Sequence, residues 1–289
     1  MRSACSIVHA VFLLVLLLQP SVSYPVHGAD KVSGTVFVKD SLTTPRQEAK
    51  IEAKLVSKGL LHDSPLGGEP VELVVNGATA ATGMTGGDGR AFLSFVPTAK
   101  SIISVQVRAG ASPRVLATEG QANVVVWERR TPVLVVEFSS LMEESRFNGA
   151  IPDISSGFSP ATAIPDAAEE LSKVSQFYYG IMYVTTVPSG ADGFAISADA
   201  RNWLASHKFP PGFVLALSSE EDALGAKIDE LHQAGWKSVK TGIGRSKTFV
   251  ETFLRRRLEA IMVPEPSKGE APPRKAKVAK DWKEVRKKL

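Results

Sequence analysis

The 289-residue sequence contains one cysteine, Cys5, so disulfide scaffolds, zinc ribbons and thiol catalysis are excluded for everything downstream of it. Aromatic residues are sparse at 7%. Histidines are few and scattered: His62, His207 and His232 offer no H-E-x-x-H pair and no metal-ligand spacing. No G-x-S-x-G nucleophile elbow occurs. Neither sign of charge dominates, with 34 Lys+Arg against 30 Asp+Glu. With 44% hydrophobic and 22% charged residues, the composition excludes a disordered, collagenous or polytopic membrane chain. The length leaves room for two compact domains or one large one.

Long apolar runs are also lacking, with one exception. Behind Arg2, residues Ala10 to Leu18 read AVFLLVLLL, then Gln19-Pro20 breaks the run and Ser21-Val22-Ser23 supplies small residues. This is the pattern of a secretory signal peptide, residues 1–23, cleaved after Ser23. The run is well short of the roughly 20 residues that span a bilayer, so no transmembrane anchor is expected. Cys5 would leave with the leader, and a thiol-free mature chain suits an oxidising compartment. The expectation is an exported protein, in a periplasm or the medium.

From 31 to 128 the chain reads as short β-branched runs, Val32–Val38, Ile51–Val56, Val71–Val75, Ala91–Phe95, Ile102–Val107 and Val115–Trp127. They are punctuated by Gly67-Gly68, Asn76-Gly77, Gly86-Gly87-Asp88-Gly89 and Ser112-Pro113, which suit tight turns. Six or seven such strands predict an all-β sandwich. The stretch Gly68 to Phe95 resembles bacterial immunoglobulin-like and carboxypeptidase-regulatory-like modules. Asp88 has no acidic neighbour in its loop and reads as a turn residue before it reads as a calcium ligand.

From 131 to 264 strands alternate with helices. Strands are expected at Pro132–Phe138, Ile181–Thr186, Phe213–Leu217, Ser238–Thr241 and Ala260–Val263. Helices are expected at Asp166–Phe177, Ser197–His207, Glu220–Ala234 and Lys247–Leu258, with Trp203 and Trp236 as core anchors. The fold class is thus α+β in two domains, a sandwich followed by a doubly wound α/β domain whose ligands would sit at the carboxyl ends of the strands.

Three segments carry a resemblance: Arg201 to Leu215 (RNWLASHKFPPGFVL), Lys227 within AKIDEL, and Thr241 to Phe249 (TGIGRSKTF). Together they are similar to the haloacid-dehalogenase (HAD) superfamily, and within it to the lipin-type phosphatidate phosphatases. That resemblance implies an aspartyl nucleophile and an acid in a D-x-D pair, a Thr or Ser and a Lys that hold phosphate, and acids that hold Mg²⁺. Here Glu137 and Ser139 stand at the D-x-D positions and Leu141 at the following Thr position. Gly244, Arg245, Ser246 and Lys247 replace the metal acids, while Thr185 and Lys227 match. No cofactor is expected; Mg²⁺ would enter only if the chain were an active enzyme.

What remains is a phosphate-holding set: Thr185, Lys227, Gly242, Gly244, Arg245 and Lys247. A strand–loop–helix unit at Gly242–Thr248 would aim backbone N–H groups and two cations at an anion. The alternative is a plain connection whose Arg245 and Lys247 face solvent. Aligning Lys247-Thr248 with the Walker A motif leaves its glycine positions to Thr241 and Ser246, so it is not a nucleotide-binding loop.

Residues 237–289 hold 16 Lys+Arg and 6 Asp+Glu; the rest of the chain holds 18 and 24. Pro264, Pro266, Pro272 and Pro273 set off a basic tail, 265–289. The tail reads first as a partly helical segment packing Trp282 and Val285 on the domain, and second as a binder of anionic headgroups or acidic polysaccharide. Nucleic acid is not an expected partner. Read as a whole, the chain is an exported, catalytically degenerate HAD-like module for a phosphorylated or anionic, lipid-like ligand such as a phospholipid headgroup. An active phosphomonoesterase using Glu137, and a structural envelope or adhesion protein, are the alternatives.

Overall fold

The computed structural model describes residues 31–59, 63–143, 161–177, 179–267 and 269–289. The expected leader at 1–23 and His62 lie outside the described residues. Val32–Leu289 clusters as one compact unit.

Its first part contains ten strands: β1 (Val32–Val38), β2 (Ser41–Thr43), β3 (Ala49–Ser57), β4 (Ser64–Pro65), β5 (Pro70–Val75), β6 (Ala78–Met84), β7 (Arg90–Phe95), β8 (Ser101–Ala109), β9 (Val115–Thr118) and β10 (Gly120–Val126). One sheet has the order β4-β3-β1-β9, with β7 also on β3; the other is β2-β10-β8-β5-β6. Period-two alternation turns Val36, Ile51, Leu55, Leu93, Leu73, Val105, Val107 and Val124 inward from both sheets into one apolar core. Asp88 sits in the β6–β7 turn, where its carboxylate accepts the Arg90 N–H at 3.1 Å.

The run Val115–Trp127 is two strands rather than one. β9 lies parallel to β1, and β10 crosses to the other sheet. The break falls at Glu119; β10 then starts at Gly120, where a Cβ would lie 2.5 Å from the Val36 carbonyl oxygen. Strand β6 has Ala and Gly, poor strand formers, at four of its seven positions and no apolar alternation, so its sequence hides it.

The second part is a six-stranded, all-parallel sheet ordered β13-β12-β11-β14-β15-β16. Its strands are β11 (Val133–Glu137), β12 (Gly180–Val187), β13 (Phe213–Ser218), β14 (Val239–Gly244), β15 (Glu259–Met262) and β16 (Lys277–Val278). The helices are α1 (Ala167–Gln176), α2 (Gly193–Ser206), α3 (Ala223–Gln233), α4 (Lys247–Arg255) and α5 (Trp282–Lys288). A short 3₁₀ turn, Phe138–Leu141, follows β11. Leu134 and Val136 face a core shared with α1, α2 and α5; Val133 and Val135 face a core shared with α3 and α4. Burial on both faces accounts for the unbroken apolar run in β11. Residues 265–289, set apart by sequence as a basic tail, supply the sixth strand and α5. Trp282 and Val285 are buried there, and the Trp282 indole donates to the Ser140 carbonyl at 3.1 Å.

The sandwich and the parallel sheet are clamped through α2. The Arg201 guanidinium donates to Asp40 Oδ1 (3.0 Å) and to the carbonyls of Val38 (2.8 Å) and Gln121 (2.7 Å). Asp40 also accepts the N–H groups of Asn123 and Val214, both at 2.9 Å. Burial pushes the Asp40 carboxyl up from its ordinary value, against the opposing pull of Arg201 and the two N–H groups. At the other end of α2, Lys54 pairs with Asp192 at 2.5 Å.

Candidate functional site

In the strand order the chain runs outward from β11 through β12 to β13, then returns to the other side of β11 as β14. The carboxyl ends of β11 and β14 therefore flank the topological switch point, where open α/β sheets hold their ligands. A crevice of about 250 Å³ lies there.

Glu137 ends β11. Because side chains alternate along a strand, it follows Val133 and Val135 onto the α4 face. Both of its carboxylate oxygens are engaged. Oε2 accepts the backbone N–H groups of Arg245 (2.7 Å) and Ser246 (2.8 Å), and Oε1 accepts the Ser246 hydroxyl at 2.5 Å. Ser246 is the N-cap of α4, its Oγ accepting the Phe249 N–H at 3.2 Å. A carboxylate on the first amides of a helix is favoured by those unsatisfied donors and by the helix dipole. The loop that sequence assigned to an outside anion thus binds an anion of the chain's own.

Gly242 and Gly244, which sequence placed in the loop, are the last residues of β14 with Ile243 between them, and they serve this packing. A Cβ at Gly244 would lie 2.3 Å from Phe249 Cδ1 and 2.8 Å from Glu137 Oε2; at Gly242 it would lie 2.6 Å from the Phe253 ring. Both glycines let α4 close onto β14 through Phe249 and Phe253.

The remaining site residues predicted by sequence are not brought together. Thr185 is buried on the opposite face of β12 from the crevice; its neighbours Val184 and Thr186 line the crevice instead. Lys227 stands on α3, held by Glu230 at 2.7 Å. Lys247 opens α4, largely exposed, 3.8 Å from Glu251. The Arg245 side chain turns away from the crevice, its Nη2 donating to the Met142 carbonyl at 2.7 Å. Ser139 is exposed on the 3₁₀ turn, and Leu141 is buried in the core.

The crevice is lined by the carboxylates of Glu137, Glu220 and Asp222 and by the hydroxyls of Thr186, Ser218, Ser219, Ser246, Thr248 and Thr252. Among the described residues no Lys or Arg lines it. Asp222 is bridged to Arg256 at 2.7 Å, and that guanidinium holds its carboxyl below the ordinary value. These residues do not fit the Mg²⁺ that an active enzyme of this type would need. The Glu137 oxygens are committed, Ser139 replaces the second acid, and no described group of three or more His, Cys, Asp or Glu is placed to hold a metal.

Sequence reasoning missed Ser246, whose hydroxyl and N–H both bind Glu137. The signal available was a serine immediately before an amphipathic helix, which reads as an N-cap.

No protein-family model and no curated protein matches the chain. Among solved structures it is similar to D,D-heptose 1.7-bisphosphate phosphatase from B. bronchiseptica complexed with magnesium and phosphate, with TM-score 0.39 and 12% identity over 55% of this chain and 99% of that one. It is also similar to the D00-D0 domain of intimin, with TM-score 0.25 and 13% identity over 33% of this chain and 46% of that one. A third likeness is to a carbohydrate acetylesterase from Xanthomonas citri, with TM-score 0.27 and 12% identity over 76% and 57%. The chain spans less than half of the intimin fragment. Likenesses of this degree carry no argument about chemistry, and none bears on the lipin-type branch.

Proposed function

We propose that the chain is an exported, non-hydrolytic binding or interaction module, built on a HAD-like frame whose phosphoryl subsite is closed by Glu137. The observation that carries this reading is the seat of that carboxylate on the N–H groups of Arg245 and Ser246 and the hydroxyl of Ser246. A nucleophile needs a free oxygen aimed at phosphorus, and an incoming phosphoryl group needs the donors Glu137 already uses. With Ser139 in place of the second acid, the residue at that position cannot protonate a leaving alkoxide. The excess of Lys and Arg over residues 237–289 supports an anionic partner bound away from this crevice.

The test is phosphate release from phosphatidate and from an aryl phosphate, with Mg²⁺ and with chelator, by the mature chain and by Glu137→Ala. No release above background is expected from either. Metal-dependent release that Glu137→Ala abolishes would overturn the reading. A melting experiment complements it: inorganic phosphate should raise the Tm of Glu137→Ala, where the loop donors are vacated, and leave that of the parent chain unchanged.

A further inference from the structure

We propose that the amino-terminal edge of the parallel sheet, across β11, β14, β15 and β16, is a docking surface for an anionic lipid bilayer. The edge lies at the opposite ends of the strands from the crevice, so the proposal stands apart from the reading of Glu137.

Parallel strands all begin on one edge, and the register places their leads side by side. Val133 pairs with Val239, Thr241 with Glu259 and Ile261 with Lys277. Arg129 before β11, Lys237 and Lys240 at the start of β14, Arg257 before β15, and Arg274 and Lys275 before β16 are thereby gathered together. The Ser238 hydroxyl, donating to the Arg129 carbonyl at 2.8 Å, ties the first two leads. All six cations are exposed, and among the described residues none of them has an acidic partner within ion-pair distance. Glu259 at this edge is already paired with Lys277 at 3.3 Å.

Two apolar residues flank the basic stretch. Phe177 is 66% exposed and caps α1 just ahead of β12, whose Gly180 pairs with Val133. Leu289 follows α5, whose Lys288 carbonyl accepts from the Lys277 ammonium at 2.9 Å, so it lies beside the same strands. Six like charges crowded on one edge repel one another, so fold stability does not account for them. Exposed cations bordered by an exposed aromatic and an aliphatic residue match an anionic bilayer interface, which takes up both charge and apolar side chains. An acidic polysaccharide would use the cations and leave Phe177 without a role.

The experiment is co-sedimentation of the full chain with phosphatidylcholine vesicles, with and without phosphatidylglycerol, at low and high salt. Binding is expected only to the anionic vesicles and is expected to weaken with salt. Each Lys or Arg near an anionic surface changes partitioning about fivefold, so Arg257→Gln, Arg274→Gln and Lys275→Gln together should lower it roughly 100-fold with Tm unchanged. Phe177→Ser should lower binding while leaving its salt dependence as it was. Absence of vesicle binding at low salt, or binding that the triple variant leaves intact, would overturn the proposal. Retention on heparin without vesicle binding would also overturn it and assign the edge to an acidic polysaccharide.

Discussion

Glu137 is one methylene longer than the aspartate of the family its neighbourhood resembles, and that length lets its carboxylate reach the Arg245 and Ser246 N–H groups. Removing it leaves charge-assisted donors unsatisfied, at about 1–3 kcal/mol for each one left buried. Glu137→Ala is therefore expected to lose about 2–4 kcal/mol of stability, read as a shift in urea midpoint. Glu137→Asp restores the nucleophile's residue type but draws the carboxylate back from the loop. It should lose stability and gain no phosphatase turnover, since Ser139 still cannot serve as the acid; turnover in this variant would show that residue type alone had silenced the site. Gly244→Ala forces a methyl group against Phe249 and Glu137 and should cost about 1–3 kcal/mol on the same scale.

At the scale of elements, α5 matters beyond its length. Its Trp282 is 1% exposed and bonded to the turn that follows Glu137, so Trp282→Ala should cost about 3–5 kcal/mol. The α1–α5 joint also carries a pH dependence. Glu170 is bonded to Lys173 at 2.8 Å and to Arg286 at 3.0 Å, and these cations, Lys173 foremost, hold its carboxyl below the ordinary 4.5. A depressed folded value means that the joint's contribution is complete above the ordinary value and is lost as pH falls through the folded one. The stability gap between the parent chain and Glu170→Gln should be full at neutral pH and close below that range, as read from urea midpoints; a gap that persists in acid would remove Glu170 from the account. Most of these elements are legible in sequence, because apolar runs and helical periodicity report burial directly, as in β11 and α4. Strand β6 is not, since Ala-Thr-Ala-Ala-Thr-Gly-Met carries no alternation. The seat of Glu137 is not legible either. It depends on the register between β11 and β14, which joins residues 108 apart in sequence.

For the whole molecule, the Asp40–Arg201 pair couples the sandwich to the parallel sheet, beside the apolar contact that Val125 and Trp127 make with the sheet's core. Arg201 reaches the sandwich from α2, and Asp40 reaches back to the first residues of β13. Arg201→Ala strands the buried Asp40 carboxylate, at about 3–5 kcal/mol. The parent chain should melt in one calorimetric transition, and this variant in two separated ones; two transitions in the parent would show that the clamp does not couple the parts. Arg201→Lys should rescue only partly, because a lysine cannot reproduce the fork that meets Asp40, Val38 and Gln121. Sequence marks the change from sandwich to α/β pattern near residue 130. It is silent on this clamp, because Asp40 lies in a short loop and Arg201 within an amphipathic helix, each looking like ordinary surface charge.

The seat of Glu137 also sets a population. If it contributes about 3 kcal/mol, roughly one molecule in a hundred or fewer has the loop open at any moment. An external anion can bind only that fraction, so its apparent affinity is weakened by the same factor. An anion at concentrations well below that weakened constant leaves the loop as it is. The penalty is the same for every anion, so it raises the concentration each one needs without changing their order, and selectivity is left to the fit with the vacated donors.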